Sequence, residues 1–472
     1  MSEHHQTPAG RPRGQMQDFT TGSIWRHLLV FSWPMFVGNL FQSLYNTVDS
    51  FWVGRYLGAD ALGAVSVSFP AIFALVSLIM GLTMATTTLV AQYRGARQDD
   101  QVRRTVANSV LLIVVLGLAS TGVGYVFRFS LLRLMRTPEE ILEPAALYLG
   151  VFSVGLVPMF LYNSLSAVLR GLGDSRTPLR FLIYATVVNI ILDPLFILGL
   201  GPVPAMGVAG AAWATVLAQL LSAVLSVYYI GRVTDLFPQV RSQWKPDGML
   251  LRRLVAIGVP AGLQTSVVAF SEAILMVIIN TFGTDVVAGF SAAIRIDQFA
   301  FLPALSIGLA VTALVGQNLG AGKQERVREI VRSSSWLTVA ITGAATVVFL
   351  AWPEPLVRIF TGEPPVVAEG ARYLRIVGLS FVPLGLIFVL GGVLRGAGDT
   401  MATMVITFLT MWVARLPVAW YLSYGLGWGV AGTWWAVVFS TVVGLILNWM
   451  YYRSGNWLKK VIVQPQPSTG PA

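Results

Sequence analysis

The sequence predicts an all-α integral membrane protein of twelve transmembrane helices, folded as two six-helix bundles related by pseudo-twofold symmetry. Three observations predict it. Of 472 residues, 55% are hydrophobic and only 11% charged, against about 25% charged in a soluble domain. Apolar stretches of bilayer-crossing length, roughly 20 residues, recur twelve times. The second half also restates the first. Leu169-Arg170-Gly171-x-Gly173-Asp174 returns 225 residues later as Leu394-Arg395-Gly396-x-Gly398-Asp399. In the same register Gly58-x-Asp60 returns as Gly283-x-Asp285, and Gln92-x-x-Gly95-Ala96 as Gln317-x-x-Gly320-Ala321.

In chain order the spans are expected near 28–54, 61–92, 105–127, 141–168, 178–200 and 206–230, then 254–281, 287–315, 333–352, 370–393, 402–424 and 429–452. Six spans per half place both halves the same way up, as a parallel repeat about an axis along the membrane normal. The expected organisation is a leader over 1–24, an N-lobe over 25–231, a linker over 232–252, a C-lobe over 253–453 and a tail over 454–472. The linker carries Arg232, Arg241, Lys245, Asp247 and Arg252, and the tail contains Gln464-Pro465-Gln466-Pro467.

The net charge of +10 sets topology rather than marking a nucleic-acid surface. Of 32 Lys and Arg, 23 lie in or beside the termini and the even-to-odd loops, as in the cluster Arg94, Arg97, Arg103 and Arg104 and its counterpart Lys323, Arg326, Arg328 and Arg332. Seven lie in or beside the odd-to-even loops, among them Arg133 and Arg358. The positive-inside rule then puts both termini in the cytoplasm of a multi-pass inner (plasma) membrane protein. Residues 1–22 lack the apolar core of a cleaved signal, so the first span is expected to serve as its own insertion signal.

Enzyme chemistry is not expected. There is no cysteine, His4 and His5 fall in the polar leader, and no nucleophile–base pair or metal-ligand cluster stands out. The loops are too short to hold a soluble catalytic domain. Pro34, Pro70, Pro194, Pro260, Pro303, Pro383 and Pro417 fall inside spans. Each removes a backbone hydrogen bond, which yields either a packing kink or a hinge with an open carbonyl. Pro194, following Asp193, suits the second role.

The polar residues at depth carry the mechanism. Asp49, Asp193, Glu272 and Asp297 lie well inside spans, where insertion scales put the cost of a charge at about 2.5–3.5 kcal/mol each. Arg295 and Arg415 are the two basic residues at depth, too few to neutralise four acids. Gln42, Tyr45, Asn46 and Asp49 follow i, i+3, i+4, i+7 spacing and form one polar helix face. Asn189 and Asp193, at i, i+4, form another. Asp49 lies about 9 Å from Arg55 and Asp193 about 20 Å from Arg180 along their helices, so both acids reach the outer half of the membrane. A carboxylate in a low-dielectric surrounding can exchange protons near neutral pH, and an oxygen-only ligand set also suits a hard cation. In the second half, Thr265 and Glu272 share a face, as do Ser291, Arg295 and Gln298, with Asp297 beside them. For these acids a binding role and an internal ion pair both stand open, and Arg415 is the favoured neutraliser.

Through Tyr45-Asn46-x-x-Asp49, Gly58-Ala59-Asp60-Ala61-Leu62, Gln92…Gly95-Ala96, the doubled Leu-Arg-Gly-x-Gly-Asp and Gly207-Val208-Ala209-Gly210, residues 25–452 resemble the multidrug and toxic compound extrusion (MATE) family. The resemblance implies a V-shaped pair of bundles exporting small organic cations by antiport against Na+ or H+, with no other cofactor. It implies an ion-coupling set of Asp49, Asn189, Asp193 and Thr215, which would hold Na+ if that is the ion. Gln42, Tyr45, Asn46, Asn163, Glu272 and Asp297 are expected to bind substrate. Asn189-x-x-x-Asp193 fits the DinF-like and archaeal branch. Glu272 fits the seventh-span acid of the NorM-like branch, but Val382-Pro383-Leu384-Gly385-Leu386 lacks that branch's tenth-span acid. Coupling is therefore expected in the N-lobe. Beyond substrate and membrane lipid, no obligate protein partner is implied. The alternatives are a lipid-linked saccharide flippase, for which two deep arginines make a weakly cationic cavity, and a passive channel.

Overall fold

The computed structural model describes residues 16–199, 204–233 and 244–463. His4 and His5, residues 234–243 of the expected linker with Arg241, and the tail from Gln464 lie outside the described residues. Among the described residues the secondary structure is helical, with no strand.

The first bundle consists of α1 (Ile24–Leu57), α2 (Ala59–Gly95), α3 (Asp99–Val126), the short α4 (Arg128–Leu134), α5 (Glu139–Val154), α6 (Leu156–Gly171), α7 (Arg176–Leu198) and α8 (Val208–Val233). The second consists of α9 (Gly248–Asn280), α10 (Thr284–Gly320), α11 (Gln324–Ala351), the short α12 (Pro353–Arg358), α13 (Pro364–Val377), α14 (Phe381–Ala397), α15 (Thr400–Phe408), α16 (Leu416–Trp420) and α17 (Val430–Ser454). π-helical turns at Leu409–Arg415 and Tyr421–Gly425 flank α16 and complete one span with it.

Ten described helical stretches are long and apolar enough to cross a membrane, and α5 with α6, bent by 46°, makes an eleventh. The twelfth expected span is α1. Its 34 residues reach about 51 Å, but Asn39, Gln42, Asn46 and Asp49 dilute its apolar character. Three features depart from simple continuous spans, the first being a 3-10 turn at Gly378–Ser380 between α13 and α14 within the expected 370–393 span. The expected 141–168 span breaks at Gly155, and the 402–424 span winds through the π turns. Around Pro194, α7 continues unbroken.

The doubled motifs have local physical causes. Gly58 and Gly283 hold φ of 87° and 103° between consecutive helices, a left-handed conformation favouring glycine. Asp60 and Asp285 then fall in the first turns of α2 and α10, where the helix dipole favours an acid. Asp174 accepts from the backbone N–H of Arg176 and Thr177, each at 3.0 Å, and Asp399 from that of Ala402 at 3.3 Å. Both aspartates thus start the next helix.

The bundles meet closely toward their arginine-rich end. A Cβ at Gly81 would collide with the backbone of Gly258 and Gly262, one at Gly95 with Gln317, and one at Gly320 with Gln92. The hydrogen bonds joining the bundles among the described residues run from Asn39–Ser306, at 3.1 Å, down to that basic end. Two core clusters cross the divide: one packs Leu28 and Phe31 of α1 among Ile307, Val311, Leu314, Val389 and Val393, and the other packs Leu250, Leu254 and Ile257 of α9 among Leu89, Val90 and Val106.

Candidate ion and substrate site

Four helices of the first bundle turn polar side chains to a common interior. The α1 face divides in two: Tyr45 and Asp49 are buried, at 5% and 9% exposure, whereas Gln42 and Asn46 are exposed. This follows from the geometry, because residues four apart stand one above the other. Asn189 and Asp193 of α7 are completely buried, and Asn189 Nδ2 donates to Asp193 Oδ1 at 3.1 Å. Thr215 of α8 is buried as well. The Tyr45 hydroxyl faces Thr215 without closing a hydrogen bond to it. Asp49 and Asp193 are near enough to repel when both are charged.

Buried atoms here lack partners: Tyr45 Oη, Asp49 Oδ1, Asn189 Oδ1, Asp193 Oδ2 and Thr215 Oγ1. An unmet buried polar group costs about 1–3 kcal/mol, so the arrangement suits an entering proton or cation. The set is oxygen-only, with two carboxylates, a carboxamide and hydroxyls, and it fits a hard cation. The described residues contain no group of three or more His, Cys, Asp or Glu side chains set for a metal ion.

Two neighbours escaped the sequence reading. Tyr148 of α5 is 3% exposed and lies in the field of Asp49, Tyr45 and Asp193. Gln219 stands one turn beyond Thr215, with Oε1 buried and unpartnered. A tyrosine in an apolar run reads as core; the i, i+4 spacing from Thr215 was the available signal for Gln219. Asn163 on α6 donates to Met159 O at 2.8 Å, within its own helix.

The second bundle arranges its acids differently. Arg415 Nη1 donates to Glu272 Oε1 at 2.6 Å, and Arg415 Nε donates to Ser440 Oγ at 3.0 Å. The guanidinium side chain is 8% exposed and the glutamate 50%. Tyr373 Oη donates to Asp297 Oδ2 at 2.5 Å. The Tyr373 ring packs edge-on to Trp434, with centroids 4.8 Å apart, and Asp297 Oδ1 keeps no partner. Arg295 is exposed, its guanidinium 6.0 Å from the Phe360 ring centroid. Of the two deep arginines, Arg415 is therefore the one that meets an acid.

The family model described as MatE matches twice, over residues 34–195 and 260–421. The chain is 35% identical over 448 residues to the "Probable multidrug resistance protein YpnP" of Bacillus subtilis, covering 93% of this chain and 97% of that protein. It is 29% identical to the "Probable multidrug resistance protein NorM" of Thermotoga maritima, covering 93% and 94% respectively. A solved structure described as the outward-facing conformation of a multidrug resistance MATE family transporter has the same fold. Its TM-score is 0.87 at 24% identity, with 94% of this chain and 99% of that one covered.

Proposed function

The chain belongs to the MatE family, and from that premise we propose that this membrane transporter is a secondary active antiporter, exporting small organic cations in exchange for Na+ or H+. The cluster of unpartnered buried oxygens on α1, α7 and α8 carries the reading. Without a proton or cation, Asp49 and Asp193 repel and their neighbours' oxygens stay unmet. Loading removes both penalties. Coupling follows if loading removes more of them in one conformation than in the other.

Asp49, Asn189, Asp193 and Thr215 hold the ion, with Gln219 and Tyr148 beside them. Gln42 and Asn46, exposed on the opposite edge of the same α1 face, meet substrate. Tyr45 links the two sets. Asn163, half-exposed Glu272 and Asp297 complete the proposed substrate surface, where Glu272 is paired with Arg415 and Asp297 keeps an unpartnered carboxylate oxygen for a cationic guest. The lobes run over 25–231 and 253–453 in the inner membrane, with leader, linker and tail on the cytoplasmic side. Arginine at the basic end supports that orientation. The Asn189–Asp193 pair and the absence of an acid across Val382–Leu386 favour the DinF-like side of the family.

The test uses purified protein in sealed vesicles, with a sodium gradient and a pH gradient applied separately. One gradient should drive saturable efflux of a cationic dye, and Asp49→Asn should abolish it. Undiminished gradient-driven efflux by that variant removes Asp49 from the coupling site. Non-saturable dye movement with either gradient argues for a leak pathway instead.

A further inference from the structure

At the basic end the two copies of Gln-x-x-Gly meet across the pseudo-twofold axis. Gln92 Nε2 donates to Gly396 O at 2.9 Å, and Gln317 Nε2 donates to Gly171 O at 3.0 Å. Each glutamine crosses from its own bundle to the doubled Leu-Arg-Gly of the other. This leaves each with a carboxamide oxygen, and a terminal segment takes it. Phe19 N donates to Gln317 Oε1 at 3.1 Å. Ile462 N and Val463 N donate to Gln92 Oε1 at 2.9 and 3.3 Å.

The connections are crossed. Residues 17–22 lead into the first bundle yet bond the second. Asn318 Nδ2 and Arg326 Nη2 donate to Phe19 O at 3.1 and 3.2 Å, and Lys323 Nζ donates to Thr20 O at 2.9 Å. Residues 460–463 leave the second bundle yet bond the first. Each segment also lies against the turn glycine of its own bundle. Gln17 N donates to Gly173 O at 3.3 Å, and Ile462 packs beside Gly398. Gly173 and Gly398 are repeat mates, so the two segments occupy equivalent places. Their sequences share nothing, because the bonds to the glutamines come from backbone N–H groups.

We propose that residues 17–22 and 460–463 are paired straps, each tying its own bundle to the other, that hold the basic end shut. Opening that end requires Gln92 and Gln317 to release both the opposing glycine carbonyl and the strap. The inference rests on alternating access but not on the identity of the ion or substrate. A conformational readout therefore tests it separately from the transport reading.

The absence of cysteine permits single-cysteine reporters in the full chain. Thr88→Cys reports on the basic end, since Thr88 is fully buried and donates to Arg395 O across the divide at 2.9 Å. Ser43→Cys reports on the exposed part of α1. Both are labelled in nanodiscs with a membrane-impermeant maleimide. Ile462→Pro deletes one strap N–H, whereas Ile462→Ala retains it. Ile462→Pro, and separately Gln92→Leu with Gln317→Leu, should speed labelling at position 88 at least about fivefold without speeding it at 43. Ile462→Ala should label as the parent does. Unchanged labelling at 88 after both releases overturns the proposal. So does faster labelling at both reporters, which means general loosening, or an Ile462→Ala effect equal to that of Ile462→Pro, which means packing.

Discussion

In the first bundle Asp49 and Asp193 keep buried oxygens without partners, whereas in the second Arg415 closes on Glu272 and Tyr373 on Asp297. The same scaffold has thus been finished in two ways. In the first interior neither acid meets a side-chain cation among the described residues, which suits an exchangeable visitor; in the second Asp297 Oδ1 also lacks a partner, but Glu272 is paired. The second interior carries its own cation as the Arg415 side chain, and a covalently tethered guanidinium cannot leave when the membrane gradient changes. Symmetry in the helices therefore does not imply symmetry in the work done by each half.

That contrast can be broken most directly at Asp193. Asp193→Asn should lower gradient-driven efflux at least about tenfold, equivalent to 1.4 kcal/mol or more, while the protein keeps its thermal stability. Wild-type efflux, measured in the same vesicles, would put the exchange site elsewhere. In the second bundle the expected cost is to the fold. Glu272→Gln strands the Arg415 guanidinium and should destabilise by about 2 kcal/mol, less than a fully buried pair because the glutamate is half exposed. Adding Arg415→Met should recover most of it. Thermal unfolding of both single variants and the double variant gives the coupling, and additive losses would mean the ion pair contributes nothing.

Smaller effects sharpen the boundary. Gln219→Leu removes an unpartnered oxygen and should weaken apparent ion affinity about threefold, the scale of one modest hydrogen bond. An unaltered ion-concentration dependence of efflux excludes Gln219 from the set. Tyr373→Phe takes away the one hydrogen-bond donor that Asp297 has among the described residues, with an expected loss of about 1 kcal/mol. Equal melting temperatures for parent and variant would show that water already serves that oxygen.

Much of this was legible in the chain. Apolar stretches indicate the spans, and helical spacing brings out the polar α1 face and the Asn189–Asp193 pair, although only Tyr45 and Asp49 of that face are buried beside Asn189 and Asp193. Local spacing is a helix property, so it survives folding. Sequence leaves the Glu272–Arg415 pair as one possibility among others, because 143 residues separate the partners and local spacing does not reach across them. The π-helical turn ending at Arg415 further shifts its direction from any regular period. The bend at Gly155 hid inside an unbroken apolar run. The straps were invisible for a different reason: their bonds to the glutamines come from the backbone N–H groups, which every residue but proline possesses.

The contact of Gly95 with Gln317, mirrored by Gly320 with Gln92, has a consequence for how such a chain can change. It is an isologous interface within one polypeptide: residue i of one copy touches residue j of the other, and the reverse holds. Each copy is therefore the mould in which the other was cast. A larger residue in place of Gly95 would meet main-chain atoms of Gln317, 222 positions away, which no substitution there removes. The two halves can drift apart at their acids, but at this seam neither glycine can gain a side chain while the backbones stay this close.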